Sequence, residues 1–334
     1  MGATVAELGE LALIERLKPY CAAGSVGDDA ALMTVDPGHK LVVTTDVLVD
    51  TVHFSDRTTP PFSVGWRAIA ANLSDLAAMG AAPLTITVGL CLPPETAWDW
   101  VEALYEGMSA CLAAYGGAIV GGDVCRAAQR AVAITAMGQV RAGQTIRRDT
   151  AVPGMAVVVT GPHGASRAGL ALLLKEGDLS EVSANVEITE AWIRAHQCPV
   201  PRFDAIASLQ QLGAFDAAAT VSGMDSSDGL ANALLHISRG SGVGMAIARS
   251  QIPLPEGLAA TVGENKAMEW ALYGGEDFEL VLCMPQAIAD RFTQTSLVAQ
   301  IGITTDTQVV TLVDATGKII DTISDQSFQH FRRD

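Results

Sequence analysis

The side chains with chemistry in reach are carboxylates, spread through the chain at the mouths of apolar runs. Asp28 and Asp29 stand in Val-Gly-Asp-Asp-Ala, Asp46 after Leu-Val-Val-Thr-Thr, Asp75 in Asn-Leu-Ser-Asp-Leu and Asp123 behind a Gly-Gly pair. Asp225 and Asp228 share Met-Asp-Ser-Ser-Asp-Gly-Leu, and Glu276 and Asp277 share Gly-Gly-Glu-Asp-Phe. A bare carboxylate beside a buried strand costs several kcal/mol unless something neutralises it. With 21 Lys+Arg against 37 Asp+Glu, and no base adjoining these motifs, protein cations are a poor match. A hard divalent cation is the natural partner, because Mg²⁺ takes oxygen ligands and bridges carboxylates to substrate phosphates.

Each acid has a plain structural reading on its own. Residues 27–30 suit a turn, Asp46 a strand-end cap, Asp75 a surface helix position, and 121–123 a tight turn. Ser227 or Asp228 suits the N-cap of a helix starting near Leu230, which is also where free amides dock an anion. The joint occurrence of so many acids at loop junctions favours metal binding. Gly121-Gly122 fits close backbone approach to a phosphate. Arg141, Arg147 and Arg148 stand out in a base-poor chain, and an arginine pairs bidentately with phosphate; Arg147 reads better as part of a solvated linker. Of the histidines, only His53, just downstream of Asp46, suggests a site.

These residues must be positioned by alternating strands and helices. Strand-like runs are expected at 41–45 (ending at Asp46), 84–92, 118–120 and 131–140, with helices at 63–79 and 95–115. In the longer helix Trp98, Val101, Leu104, Met108, Cys111 and Tyr115 recur at helical spacing, and Gly116-Gly117 ends it. A boundary near residue 150 gives an amino-terminal domain, 1–150, and a carboxy-terminal domain, 151–334. The second unit reads as a strand at 155–160, a helix at 165–174, a helix-rich stretch to about 212 and a strand-to-loop at 221–228. A helix from 230, a strand at 243–248, a helix around 267, a strand at 278–284 and short β-like runs at 308–313 and 318–320 follow. The fold class is therefore α/β of the α+β type, two mixed α/β domains.

Composition narrows the function. At 334 residues and 49% hydrophobic, the chain is long enough for two buried cores. A net charge of −16 and a pI near 4.7 argue against nucleic-acid binding. No segment reads as membrane-spanning or as a secretion signal, so a cytoplasmic protein is expected. The six cysteines form no C-x-x-C pair and read as buried reduced thiols. The P-loop pattern, the protein-kinase signature, His-Glu-x-x-His and zinc spacing are absent, and Gly240-Ser-Gly-Val-Gly lacks the spacing of a dinucleotide fingerprint.

GDDAAL (27–32), TTDVLVDTVHF (44–54), NLSDLAAMGAAP (72–83), GGD (121–123), VTG (159–161), PVPR (199–202), DSSDGL (225–230) and GGEDFEL (274–280) run through nearly the whole chain. In this order they resemble thiamine-monophosphate kinases, of the aminoimidazole ribonucleotide synthetase-like superfamily. The resemblance implies ATP-dependent phosphorylation of thiamine monophosphate to thiamine diphosphate by a homodimer centred on its amino-terminal domains. It implies that Asp29, Thr44, Thr45, Asp46, Asp75, Asp123, Asp225 and Asp228 hold several Mg²⁺ ions. Gly122, Asp123, Arg148 and Ser227 would meet ATP; His53, Glu276 and Phe328 would meet the thiamine end. No residue is expected as a general acid or base. The family often has Gly where Thr51 stands, Thr at Val124 and Leu at Ser226. The alternatives are another ATP-dependent enzyme of the superfamily, of the aminoimidazole ribonucleotide synthetase or selenophosphate synthetase type, or a non-catalytic metal- or nucleotide-binding module.

Overall fold

The computed structural model describes residues 2–26, 30–176, 186–215, 221–294 and 298–326. The chain divides into two compact units, Met1–Leu76 with Ala81–Ala142, and Ala77–Gly80 with Gly143–Asp334. The division falls ahead of residue 150, and Ile146 already belongs to the core of the second unit.

The first unit begins with helices α1 (Val5–Leu8) and α2 (Glu10–Leu17), followed by strand β1 (His39–Val49) and helix α3 (Pro61–Ala78). Strand β2 (Ala82–Leu92), helix α4 (Trp98–Tyr115) and strands β3 (Ala118–Arg126) and β4 (Ala131–Arg141) complete it. The four strands form one sheet in the order β1-β4-β2-β3, antiparallel except for the β2–β3 pair. Ile86, Val88 and Leu90 of β2 and Val132, Ile134 and Ala136 of β4 are buried on one face. Helix α3 is mostly buried, and α4 buries the periodic set anticipated from the sequence except Tyr115, which is half-buried. The two helices cross where Gly65 and Gly107 meet the opposing backbone; a Cβ at either would lie 1.8 Å from a carbonyl oxygen of the other helix. Helix α4 starts three residues later than its periodicity suggests. The preceding segment is bonded to the amino terminus instead, through Val5 N–H to Thr96 O (2.9 Å) and Trp98 N–H to Ala3 O (2.9 Å).

Two strands run past the limits set for them. β1 continues through Asp46 to Val49 because β4 pairs with it to the Val49–Ala131 row. β3 continues through Gly121-Gly122-Asp123 to Arg126 because β2 pairs with it that far. Asp46 and Asp123 are thus strand residues, neither a strand-end cap nor a turn.

The second unit contains β5 (Ala156–Val159), α5 (Ala165–Leu174), α6 (Val186–Gln197), α7 (Phe203–Gln211), β6 (Ser222–Asp225) and α8 (Leu230–Ser241). It continues with β7 (Gly244–Ala248), α9 (Leu258–Val262), α10 (Glu264–Tyr273), β8 (Leu280–Met284), α11 (Gln286–Phe292), β9 (Ala299–Thr305), β10 (Val310–Val313) and β11 (Ile319–Thr322). Its sheet has the order β11-β10-β7-β9-β5-β8-β6. The central strands β5 and β8 are buried along their whole length, which is why they read as unbroken apolar runs. One core joins Val157, Val159, Val281 and Cys283 to α8 and α10; a second, using the alternate residues Val158, Leu280 and Leu282, joins Ala205, Ile206 and Leu209 of α7 and Phe292 of α11. The strand β9 was not singled out in the sequence, since Gln300, Gly302 and Thr304 break its apolar pattern. β8 begins at Leu280 and not at 278, because Phe278 has a positive φ of 53°. Both units are mixed helix-and-sheet structures, as expected.

Candidate active site

In the first unit the strand register decides which site residues share a face. Successive strand side chains alternate between faces. Thr44 lies in a row with Ala136 and Ile86, and Asp46 in a row with Ile134 and Val88, all buried partners. Thr44 and Asp46 therefore point to the helix-covered face, where the Thr44 hydroxyl donates a short hydrogen bond to Asp75 Oδ2 of α3. Asp75 is thus a half-buried partner of β1 and not a surface helix residue. Thr45 points the other way, and its hydroxyl donates to the Ile134 carbonyl at 2.8 Å. Asp123 falls in the row of Gly89, Ala133 and Val47, on the same side as Thr45.

Gly122 pairs with Val88, and a Cβ there would lie 2.1 Å from Val88 O. Only glycine fits this strand–strand approach, which also leaves backbone exposed beside Asp123. His53 closes the turn after β1: Val49 N–H donates to its Nδ1 at 3.1 Å, so the neutral ring carries its proton on Nε2. Asp50, three residues before it, is paired with Arg130 at 2.7 Å, and Arg130 also reaches Asp56 and lies over Trp100. Thr51 between them has φ 65°. Asp28 and Asp29 lie outside the described residues.

In the second unit two site loops are laced together. Asp225 ends β6 and is buried; Ser226 N–H donates to Glu279 O at 2.8 Å, and Glu276 N–H donates to Ser227 O at 2.6 Å. Ser226 Oγ bonds Glu279 O at 3.0 Å and His163 Nε2 at 3.0 Å. Burial depresses the His163 pKa to about 4 and keeps the ring neutral. Gly229 occupies the N-cap of α8 with no side-chain capping bond, so neither Ser227 nor Asp228 is spent on that role. Glu276 has a positive φ of 60°, a strained conformation, and its Oε2 lies 3.6 Å from Nδ1 of the buried His196. Its neighbour Asp277 is structural: it accepts Gly164 N–H (2.7 Å) and Ser166 N–H (3.0 Å) at the start of α5. Burial pushes the Asp277 pKa up to about 7, against the pull of those amides.

Beneath the loops Glu279 accepts from Thr160 Oγ1 (2.6 Å) and is ion-paired with Arg202. Arg202 donates to Thr160 O (2.5 Å) and to both carboxylate oxygens of Asp204 (2.9 Å each). Arg147 makes a bidentate, exposed pair with Asp149, while its backbone is tied to β6: its carbonyl accepts from Gly223 N–H (3.0 Å) and Ser222 Oγ (2.7 Å), so it belongs to the second unit and not to a free linker. Arg148 is exposed, and its field reaches His236 of α8. Burial, then Arg148 and Arg239, hold that imidazole below its usual pKa, while Asp325 and Asp228 oppose them. Arg148 and Asp228 thus act electrostatically on one half-buried histidine that sequence reasoning passed over. Its only signal was a position six residues after Gly-Leu in the helix that follows the Asp-Ser-Ser-Asp loop. Phe328 lies outside the described residues.

The donor set fits a hard cation: carboxylates and hydroxyls, with no thiolate or imidazole cluster. Among the described residues no three His, Cys, Asp or Glu side chains gather to hold an ion by themselves. Mg²⁺ does not require that, since it binds one or two carboxylates and takes its remaining ligands from water and phosphate.

The two units and their acid-bearing strands define the class. Residues 27–140 match the family model "AIR synthase related protein, N-terminal domain". Hydrogenase maturation protein HypE in complex with ATP, at 18% identity, shares the fold with a TM-score of 0.71 over 92% of this chain and 91% of that one. The thiamine-monophosphate kinase of Synechococcus elongatus is 43% identical over 332 residues, 98% of each chain. That of Bacillus subtilis is 37% identical over 76% of this chain and 75% of its own. The structure of thiamine-monophosphate kinase from Stenotrophomonas maltophilia K279a superposes with a TM-score of 0.77 at 34% identity, over 90% of this chain and 95% of that one. A ThiL structure described as "AaThiL complexed with AMPPCP and TMP" does so with a TM-score of 0.76 at 31% identity, over 99% and 100%. The chain belongs to the thiamine-monophosphate kinase family.

Proposed function

We propose that this protein transfers the γ-phosphoryl group of ATP to thiamine monophosphate, giving thiamine diphosphate and ADP. The observation that carries this reading is the 43% identity to a thiamine-monophosphate kinase along 98% of both chains. The relative solved with AMPPCP, an ATP analogue, and TMP supports the same pair of ligands.

The acceptor is a phosphate monoester whose second pKa is about 6, so it is already mostly ionised near neutrality. No general base is needed, in keeping with the absence of any proposed catalytic His or Lys. Bound Mg²⁺ supplies charge neutralisation and in-line alignment of the two phosphates. In the first unit Asp29, Thr44, Asp46, Asp75 and Asp123 are the proposed metal ligands. Thr45 would add its main-chain oxygen, because its hydroxyl is committed to Ile134. In the second unit Asp225 and Asp228 take that role. Gly122, Arg148 and Ser227 hold the nucleotide, with Gly122 offering bare backbone to a phosphate. His53, Glu276 and Phe328 hold the thiamine end.

The assembly proposed is a cytoplasmic homodimer built on the first unit's sheet. Leu41, Val43 and Val47 are 49%, 57% and 49% exposed and project from one face of β1, an apolar strip interrupted at Thr45 that a second copy would cover. Among the described residues no helix is long and apolar enough to cross a membrane. A coupled assay of ADP release tests the reaction. Release with thiamine monophosphate, and not with thiamine or an aminoimidazole ribonucleotide precursor, is expected. Release with the aminoimidazole precursor alone, or with none of the three, would overturn the reading.

A further inference from the structure

The pairing of β2 with β3 brings together two cysteines that lie 34 residues apart in sequence. Cys91 and Cys125 occupy the same row, and their sulfurs are 3.2 Å apart. Both are free thiols; Cys125 is exposed and Cys91 half-buried. Directly registered strands stand about 4.8 Å apart, inside the Cα window of roughly 4.4–6.8 Å that a disulfide requires. Cys125 is exposed in the single chain and lies at the edge strand β3, on the sheet face that carries the β1 strip, so a small thiol reagent reaches the pair while a second copy leaves that end of the face uncovered. The pair also sits on the strand that carries Gly122 and Asp123. By the two-residue alternation, Asp123 and Cys125 face the same side.

We propose that Cys91 and Cys125 form a reversible oxidation site, an intramolecular disulfide whose closure lowers turnover by displacing Asp123. The turnover half of this inference rests on the assignment of Asp123 to the metal and nucleotide site; the disulfide itself does not. The oxidant class is a low-molecular-weight disulfide such as oxidised glutathione. The Cys125 thiolate attacks one glutathione sulfur, forming a mixed disulfide and releasing one glutathione thiolate. The Cys91 thiolate then attacks Cys125 Sγ, forming the Cys91–Cys125 bond and releasing the second glutathione. The protein loses two protons and two electrons, and oxidised glutathione becomes two molecules of the thiol. Closure must draw the sulfurs from 3.2 Å to about 2.05 Å. That pulls the end of the edge strand β3 toward β2, one side-chain repeat from Asp123.

The test treats the full-length protein with graded glutathione redox buffers. Each sample is then alkylated, peptide-mapped, run on a non-reducing gel and assayed for turnover. The expected result is a Cys91–Cys125 disulfide within the monomer band, turnover reduced about tenfold, as for loss of support behind a metal ligand, and recovery with dithiothreitol. C91S should keep basal turnover, show glutathione on Cys125 and lose the oxidative inhibition; C125S should keep basal turnover and ignore the oxidant. Failure to find the disulfide, or finding only links to other cysteines or between chains, overturns the site. A mapped disulfide with unchanged turnover overturns the effect on Asp123. If the enzyme proves inactive toward thiamine monophosphate, the peptide map and gel still decide the site, so the two failures are distinguishable.

Discussion

Replacing Arg202 by Met should destabilise the second unit by about 3–5 kcal/mol near pH 8, the usual result of removing one partner from a buried ion pair. Arg202 is 5% exposed and the Glu279 side chain 13%. At an effective dielectric near 20, their direct attraction at hydrogen-bonding distance is on the order of 6 kcal/mol. Asp204 adds little, since its side chain is 66% exposed and its pair is screened. In the variant, Thr160 is the one side-chain donor left to Glu279 among the described residues. Its escape is to bind a proton. Burial already raises its pKa above the usual carboxylate value while Arg202 pulls it down, so removing Arg202 raises it further. For a carboxyl whose folded pKa is raised, the native state holds the proton more firmly than the unfolded chain does. Its favourable contribution is complete below the unfolded pKa and is lost as pH rises through the folded one. The penalty of R202M must therefore be smaller at pH 5 than at pH 8, and R202M/E279Q should recover most of the loss. Urea unfolding of the second unit, followed by fluorescence of the buried Trp192 and Trp270, reads all three. A loss under about 1 kcal/mol at pH 8, a loss independent of pH, or a double variant no better than the single would refute the reasoning.

Asp75→Asn should abolish turnover with an unchanged circular dichroism spectrum, because the amide oxygen still accepts from Thr44; near-normal activity at limiting Mg²⁺ would remove Asp75 from the metal site. Gly122→Ala, with its Cβ 2.1 Å from Val88 O, should cost the first unit about 1–3 kcal/mol as well as activity, measured by thermal unfolding and turnover. Thr51→Gly should stabilise by about 0.5–1 kcal/mol, since a left-handed side-chain residue costs about 1–2 kcal/mol and glycine's extra chain entropy returns part of it; a lower thermal midpoint would contradict this. Val43→Asp should shift the protein to monomer in light scattering at working concentration, and an unchanged mass would remove the β1 strip as the dimer face.

The amino-acid sequence by itself determined the family. Scattered carboxylates with few bases, no P-loop and no catalytic histidine spacing pointed to oxygen-ligated metal and phosphate, and ordered motifs carried the family. It also determined the strongly periodic elements, such as the helix over Trp98–Tyr115 and the buried runs Ala156–Val159 and Leu280–Met284, because one apolar face or an unbroken apolar run is written locally. Local pattern does not say what pairs with what. Two-residue alternation shows that Thr44 and Asp46 share a face and Thr45 does not, but only the packing of α3 turned that face toward Asp75. Only the β2–β3 register extended β3 through Asp123 and brought Cys91 against Cys125, where spacing alone suggested six unrelated buried thiols. Within Gly-Gly-Glu-Asp-Phe, two adjacent acids looked equivalent until the α5 amino terminus claimed Asp277 and left Glu276 in a strained turn. In each case the deciding contact joins segments far apart in the chain, and such contacts exist only once the backbone has folded.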